Sequence, residues 1–155
     1  MRPFKDRGSL VSAIVATRNA ERTLGACLRS LKSQSYAKME LVVVDNLSID
    51  RTVQIASRES ARVFLLRAER SAARNYGARQ ASGDHLFFLD SDMTAEPEVV
   101  SQGIAGIGLG HDAIIVPELT VGQGFWAEIR AVERSAYLGD PLFEACRFFS
   151  RSAFT

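Results

Sequence analysis

The chain lacks a long apolar run, has only two cysteines and two histidines, and shows no surplus of either charge. Each absence removes a class of function. No stretch approaches the roughly 20 consecutive apolar residues of a membrane-crossing helix. Arg2, Lys5 and Arg7 precede an apolar run from Leu10 to Ala16. That run is rich in β-formers and stops at Thr17-Arg18-Asn19, so it reads as a first strand and not as the core of a secretory signal. Cys27 and Cys146 match no metal spacing. Both read as buried thiols, which fits a reducing, cytoplasmic setting, whether free or at the inner face of the membrane. His85 and His111 form no metal or triad pattern. Nineteen basic against eighteen acidic residues leave a formal net charge of +1. That balance supplies no field for binding nucleic acid or an anionic surface. No G-x-G-x-x-G follows the first strand and no G-x-x-x-x-G-K-[ST] occurs anywhere, so the glycine-rich phosphate loops are missing too.

What remains is a 155-residue chain of ordinary globular composition, 46% hydrophobic and 24% charged, which reads as a single domain over residues 1–155. Strands are expected at Leu10–Thr17, Leu41–Val44, Val63–Leu66, Leu86–Leu89 and Ala113–Val116. Leu24, Cys27, Leu28 and Leu31 lie at i, i+3, i+4 and i+7 of a helix with Asn19 as its N-cap. Ser48 caps a second helix carrying Val53 and Ala56 inward. Ser71–Ala81 is a third, closed by Gly83 as a C′ glycine. Pro97 opens a fourth that ends near Gly108 or Gly110. Strand and helix alternating at this rhythm predict an α/β fold, with a mostly parallel sheet and helices on both faces. After Pro117 the texture changes. Gly122 and Gly124 mark a loop, Phe125–Leu138 reads as an amphipathic helix, and Phe143–Phe149 as one more strand.

The chemistry is expected where the strands end. In open α/β sheets ligands bind beyond the carboxyl ends of the strands. Polar residues stand there after three strands: Thr17-Arg18-Asn19, Asp45-Asn46 and Asp90-Ser91-Asp92. Asp90 and Asp92 are spaced to hold a hard divalent cation, Mn2+ or Mg2+, which takes one or two carboxylates with substrate phosphates and water. Such an ion steadies the charge of a departing nucleoside diphosphate. Asp45 is placed to accept a base N–H. Arg67, Arg70, Arg74 and Arg79 cluster nearby, and Arg74 has the guanidinium fork that suits phosphate or base oxygens. Glu118, Glu128, Glu133, Asp140 and Glu144 are the remaining downstream carboxylates considered as a general base. Each is read as a surface or structural residue.

These blocks, in this order, resemble the family two glycosyltransferases, which have the GT-A fold. Val11 to Asn19 is similar to that family's opening strand and nucleotide loop, and Leu41 to Asp50 to its second strand and acidic loop. Arg74-Asn75-Tyr76-Gly77, Ala81-Ser82-Gly83-Asp84 and the strand into Asp90-Ser91-Asp92 complete the likeness. It covers residues 10–116 closely and the rest weakly. The resemblance implies a nucleotide-sugar-binding half over residues 9–116 and the start of an acceptor-side half over residues 117–155. It implies a uridine or guanosine diphosphate sugar as donor, an unidentified acceptor, a cation held mainly by Asp92, and Asp90 on the ribose or the metal. Thr17, Arg18 and Asp45 frame the base with Arg74 beside it, Asn19 and Ser91 complete the donor site, and transfer inverts the anomeric carbon. Three departures stand out. Ala16-Thr17-Arg18 replaces Pro-Thr-Tyr, Leu47 stands where glycine is frequent, and the family's acidic base motif lies downstream of the segment resembling Phe143–Thr155. The alternative reading is a module that holds the nucleotide-sugar without turnover, or an inactive fragment of such an enzyme. Phe125 and Trp126 beside Arg130 and Arg134 raise self-association or peripheral membrane contact as further expectations.

Overall fold

The computed structural model describes residues 8–120 and 145–154, together with Ile129 and Val132. Five strands follow the chain in the expected order: β1 Val11–Thr17, β2 Met39–Asp45, β3 Arg62–Leu65, β4 His85–Phe88 and β5 Ala113–Ile115. The sixth, β6, is Cys146–Ser150. The helices are α1 Leu24–Lys32, α2 Thr52–Arg58, α3 Arg70–Gln80, α4 Val99–Gly108 and α5 Arg151–Phe154. The proposed Phe125–Leu138 helix and its surface lie outside the described residues, apart from Ile129 and Val132, which are helical and exposed.

The strands form one sheet in the order β3-β2-β1-β4-β6-β5. The first four are parallel, and β6 runs antiparallel to both β4 and β5. The chain therefore builds outward from β1 in one direction, then returns to add β4 on the other side. Between β1 and β4 the order of the strands reverses, and that switch point is where open α/β sheets bind ligands.

Both faces are covered, as the apolar runs 13–16 of β1, 41–44 of β2 and 86–88 of β4 require. On one face Leu24, Cys27, Leu28 and Leu31 of α1, Ala56 of α2, and Val100 and Ile104 of α4 pack on Val11, Ala13, Val15 and Phe87. On the other, Ala73 and Ala78 of α3 pack against Ile14, Val42, Val44 and Phe88. Small residues set the depth of that contact. A Cβ on Gly77 would stand 2.6 Å from Ile14 Cγ2, so α3 lies close to the sheet. Phe148 of β6 closes the first core, its ring 5.9 Å from that of Phe87 and 5.9 Å from that of His85. Cys27 is buried as expected, whereas Cys146 opens β6 and is exposed.

Three of the expected caps are not caps. Helix α1 begins after Thr23 and not at Asn19, and α2 begins after Arg51 and not at Ser48. Gly83 does not adopt the left-handed conformation of a C′ glycine, since α3 closes at Ala81 in extended backbone. It is a glycine because it presses on β1, where a Cβ would meet Leu10 O and Ser12 N at 2.7 Å each.

Here, at the end of the sheet opposite the switch point, one carboxylate gathers four segments. Glu40 Oε1 accepts from Ser12 Oγ at 2.6 Å and from Ser82 N at 2.5 Å, while Oε2 accepts from Arg62 Nη1 at 2.9 Å. Burial alone pushes this carboxyl up. The Ser12, Ser82 and Arg62 hydrogen bonds and the Arg62 charge outweigh it and hold the group below its ordinary 4.5. A carboxyl depressed by folding stabilises the fold above its ordinary pKa, and that contribution is lost as the pH falls through the folded value. Glu40→Gln is therefore expected to cost about 2 kcal/mol near neutrality, the range for hydrogen bonds to a charged group. Urea titrations of the two proteins should converge as the pH drops below 4.5; a gap unchanged by acid counts against the charged form as the source.

Candidate functional site

The loops after β1 and β2 are stitched together by side chains that a sequence reading takes for caps. Ser48 Oγ accepts from Asn19 N at 2.7 Å and donates to Asp45 Oδ1 at 2.5 Å. Asn19 Oδ1 accepts from Ile49 N at 3.0 Å, and Thr52 Oγ1 from Ala20 N at 2.8 Å. Asp50 accepts from Glu21 N at 3.1 Å and from Thr52 N at 3.0 Å. These bonds satisfy loop N–H groups that helix or sheet leaves unpaired, and they fix the loops relative to each other. One residue is held against its preference. Leu47 has φ +51, in the left-handed region that branched side chains avoid, and its side chain is left half exposed beside the crevice.

Two adjoining hollows lie over the switch point. The first, a cleft of about 340 Å³, is lined by Thr17-Arg18-Asn19 from the end of β1, Asn46 after β2, Arg70 and Ala73 of α3, and Asp90-Ser91-Asp92 after β4. The second, about 520 Å³, continues past Arg18 and Asn46 to Leu47, Arg67 and Glu69. The structure thus brings Thr17, Arg18, Asn19, Asp90, Ser91 and Asp92 to one wall. Asp45 stands level with Thr17 in the sheet register. It is nonetheless fully buried, both its oxygens accept from Ser48, and it does not reach the lining. Arg74 reaches the site through Asp90.

Thr17 is 6% exposed, and its Oγ1 is buried without a hydrogen-bond partner among the described residues. A buried hydroxyl left unpaired beside a cleft calls for a partner, which a water or a bound ligand can supply. Arg18 and Asp92 are exposed on the same wall. Asp90 is not free in the same way. Its Oδ1 accepts from Arg74 Nη2 at 2.5 Å and its Oδ2 from Arg147 Nη2 at 3.2 Å. Burial acts to raise the Asp90 carboxyl, but the charges and hydrogen bonds of Arg74 and Arg147 prevail and hold it below the ordinary carboxylate value. Cys27 lies beneath, its thiol donating to Asp90 O at 3.5 Å. Burial pushes that thiol up to about 12, with the Asp90 and Asp92 charges adding to the effect, so it stays protonated and chemically quiet.

Arg147 is the site residue that sequence reasoning missed. It sits on β6, is buried, and also pairs with Glu118 through Nε at 2.5 Å. Glu118 is thus structural, as expected of it, while Glu128, Glu133, Asp140 and Glu144 lie outside the described residues. No group of three or more His, Cys, Asp or Glu side chains able to hold a metal occurs among the described residues. Asp92, with Asp90 beside it, nevertheless fits a Mg2+- or Mn2+-type site, because such ions take one or two carboxylates and draw their other ligands from phosphates and water. Among the described residues no helix is long and apolar enough to cross a membrane.

Comparison with known proteins places this crevice in context. The model of the family described as glycosyl transferase family 2 matches residues 12–153. The glycosyltransferase AglE of Haloferax volcanii is 36% identical over 114 residues, covering 67% of this chain and 38% of AglE. The Escherichia coli enzyme WfgD, named as a UDP-Glc:alpha-D-GlcNAc-diphosphoundecaprenol beta-1,3-glucosyltransferase, is 40% identical over 88 residues, 54% of this chain and 35% of WfgD. Among solved structures, residues 1–349 of TarS from S. aureus in complex with UDP-GlcNAc superpose with a TM-score of 0.65 at 30% identity. That match covers 74% of this chain and 36% of the other. The chain therefore spans little more than a third of the length of these relatives.

Proposed function

The chain belongs to glycosyl transferase family 2 and has the GT-A type of fold, and on that footing we propose that it carries the donor site of a metal-dependent glycosyltransferase that uses a nucleoside diphosphate sugar. One observation carries the reading. The polar end of β1 and the Asp90-Ser91-Asp92 turn line a single cleft at the switch point of the sheet, with the buried Thr17 hydroxyl left without a partner there among the described residues. The TarS complex with UDP-GlcNAc supports a nucleotide-sugar as the ligand class.

In this reading Thr17, Arg18, Asn19 and Asn46 hold the base and ribose, and Asp45 shapes that wall through Ser48. Arg18 lays a planar guanidinium where a base can stack. Asp92 would hold a divalent cation, with Asp90 beside it engaged by Arg74 and Arg147, and the ion when bound would supply Lewis-acid stabilisation of the diphosphate. Arg70 and Arg74 add fixed positive charge on the α3 side, where negative charge develops as the bond to the sugar breaks. An acceptor hydroxyl attacks the anomeric carbon from the face opposite the leaving diphosphate, its proton passing to a base, and the configuration inverts. The acceptor is an alcohol of unassigned structure.

Calorimetric titration with uridine and guanosine diphosphate, each with Mn2+ and then with chelator, tests the proposal. One of the two should bind in the presence of Mn2+ and be released by the chelator. A folded sample that binds neither overturns it.

A further inference from the structure

Arg147 joins two segments that are far from it in sequence. Its strand, β6, follows the segment 121–144 and returns antiparallel beside β4. Its side chain is 8% exposed and sits between two carboxylates, Asp90 at the donor cleft and Glu118 just past β5. Nη2 hydrogen-bonds to both, and Nε to Glu118. Arg74 takes the other oxygen of Asp90. Both oxygens of Asp90 therefore already face cations, from α3 on one side and β6 on the other. Asp92, two residues on, is exposed and engaged in no ion pair among the described residues.

This arrangement opposes a free divalent ion. Two guanidinium charges within contact of Asp90 cancel much of its attraction for another cation. A nucleoside diphosphate reverses the balance, because it brings its own negative charge and oxygen ligands. We propose that Arg147, braced by Glu118, is a positioning residue that keeps Asp90 committed to arginines, so that a divalent cation enters the cleft together with the nucleotide diphosphate and not ahead of it. The inference rests on the donor-site reading above and concerns the order in which that site fills.

The test uses Mn2+ itself as the probe, counted by the paramagnetic resonance signal of the free ion, with and without the nucleoside diphosphate that binds. In the unaltered protein Mn2+ alone should bind about 10-fold or more weakly than with nucleotide present, a coupling of ordinary size. Arg147→Met removes the charge, and Mn2+ alone should then bind about 10-fold more tightly, with the coupling reduced accordingly. Arg147→Lys keeps the charge and should behave as the unaltered protein does. Where the methionine variant does not fold, Arg147→Gln retains hydrogen-bonding capacity toward Asp90 and Glu118 and carries the same expectation. A folded Met or Gln variant whose Mn2+ affinity and coupling are both unchanged overturns the inference. Failure of the unaltered protein to bind either nucleotide defeats the donor-site proposal instead. The Mn2+-alone comparison between variants still decides the role of Arg147.

Discussion

Asp92→Ala should yield a folded protein in which Mn2+ no longer strengthens nucleotide binding. Asp92 is exposed in the cleft wall and free of ion pairs among the described residues. Its removal leaves no buried charge unpaired, and a substitution of that kind shifts stability by about 0.5 kcal/mol or less. Its neighbour cannot replace it, because both oxygens of Asp90 are bonded to Arg74 and Arg147. A hard cation deprived of its one available carboxylate must rely on phosphate and water alone. Coupling between the ion and the nucleotide is reciprocal, so the gain of about 10-fold or more that Mn2+ gives to nucleotide binding in the unaltered protein should be lost. Titration with and without chelator reads this directly, and a melting curve confirms that the fold is kept. Unchanged Mn2+-dependent binding in the variant would falsify the assignment of Asp92 as the metal ligand.

At the other end of the sheet, Gly83→Ala should be among the most damaging of single-methyl additions. The new Cβ would lie 2.6 Å from Ser12 Oγ and 2.7 Å from Leu10 O and Ser12 N. Two of those atoms are backbone next to or within β1, so no rotamer change relieves the clash. Moving Gly83 away breaks its own N–H bond to Ser12 Oγ at 2.8 Å, and with it the link through Ser12 to Glu40. It also strains the adjacent bonds from Asp84 N and His85 N to Leu10 O. Overpacking costs about 1–3 kcal/mol and more where the neighbour cannot yield, and here about 3 kcal/mol is expected. A fall in the urea midpoint with unchanged slope measures it. A loss below about 1 kcal/mol would show that β1 gives way locally.

These two residues mark where sequence reading succeeds and where it does not. β1, β2 and β4 are legible because burial on both faces demands apolar runs, and the polar residues that follow those runs, Thr17-Arg18-Asn19, Asn46 and Asp90-Ser91-Asp92, fall at the cleft. Gly83 was legible as a glycine that mattered, but the reason was tertiary, a contact with β1 some 71 residues earlier. Asn19 and Ser48 have the chemistry of helix caps, and only the pairing of β1 with β2 reveals that they bond each other's loops. Arg147 was invisible for a similar reason. It is 57 residues from Asp90 in sequence, on a strand whose antiparallel place beside β4 no local pattern announces. Asp45 shows the converse, since its position after β2 was legible while the direction of its carboxylate was not.

The place of β6 has a consequence for how the chain assembles. Among the described residues β5 pairs with β6 alone, and there Ala113 finds its partner when Phe149 arrives. The strands β1 to β4, by contrast, pair among themselves within the first 88 residues. On a ribosome the donor-side strands can be in register while β5 still waits for its neighbour, and long-range pairings of this sort form slowly. Arg147 reaches Asp90 in that same pairing. The cleft would thus acquire its second arginine as β6 inserts, tying one late pairing of the sheet to the setting of Asp90.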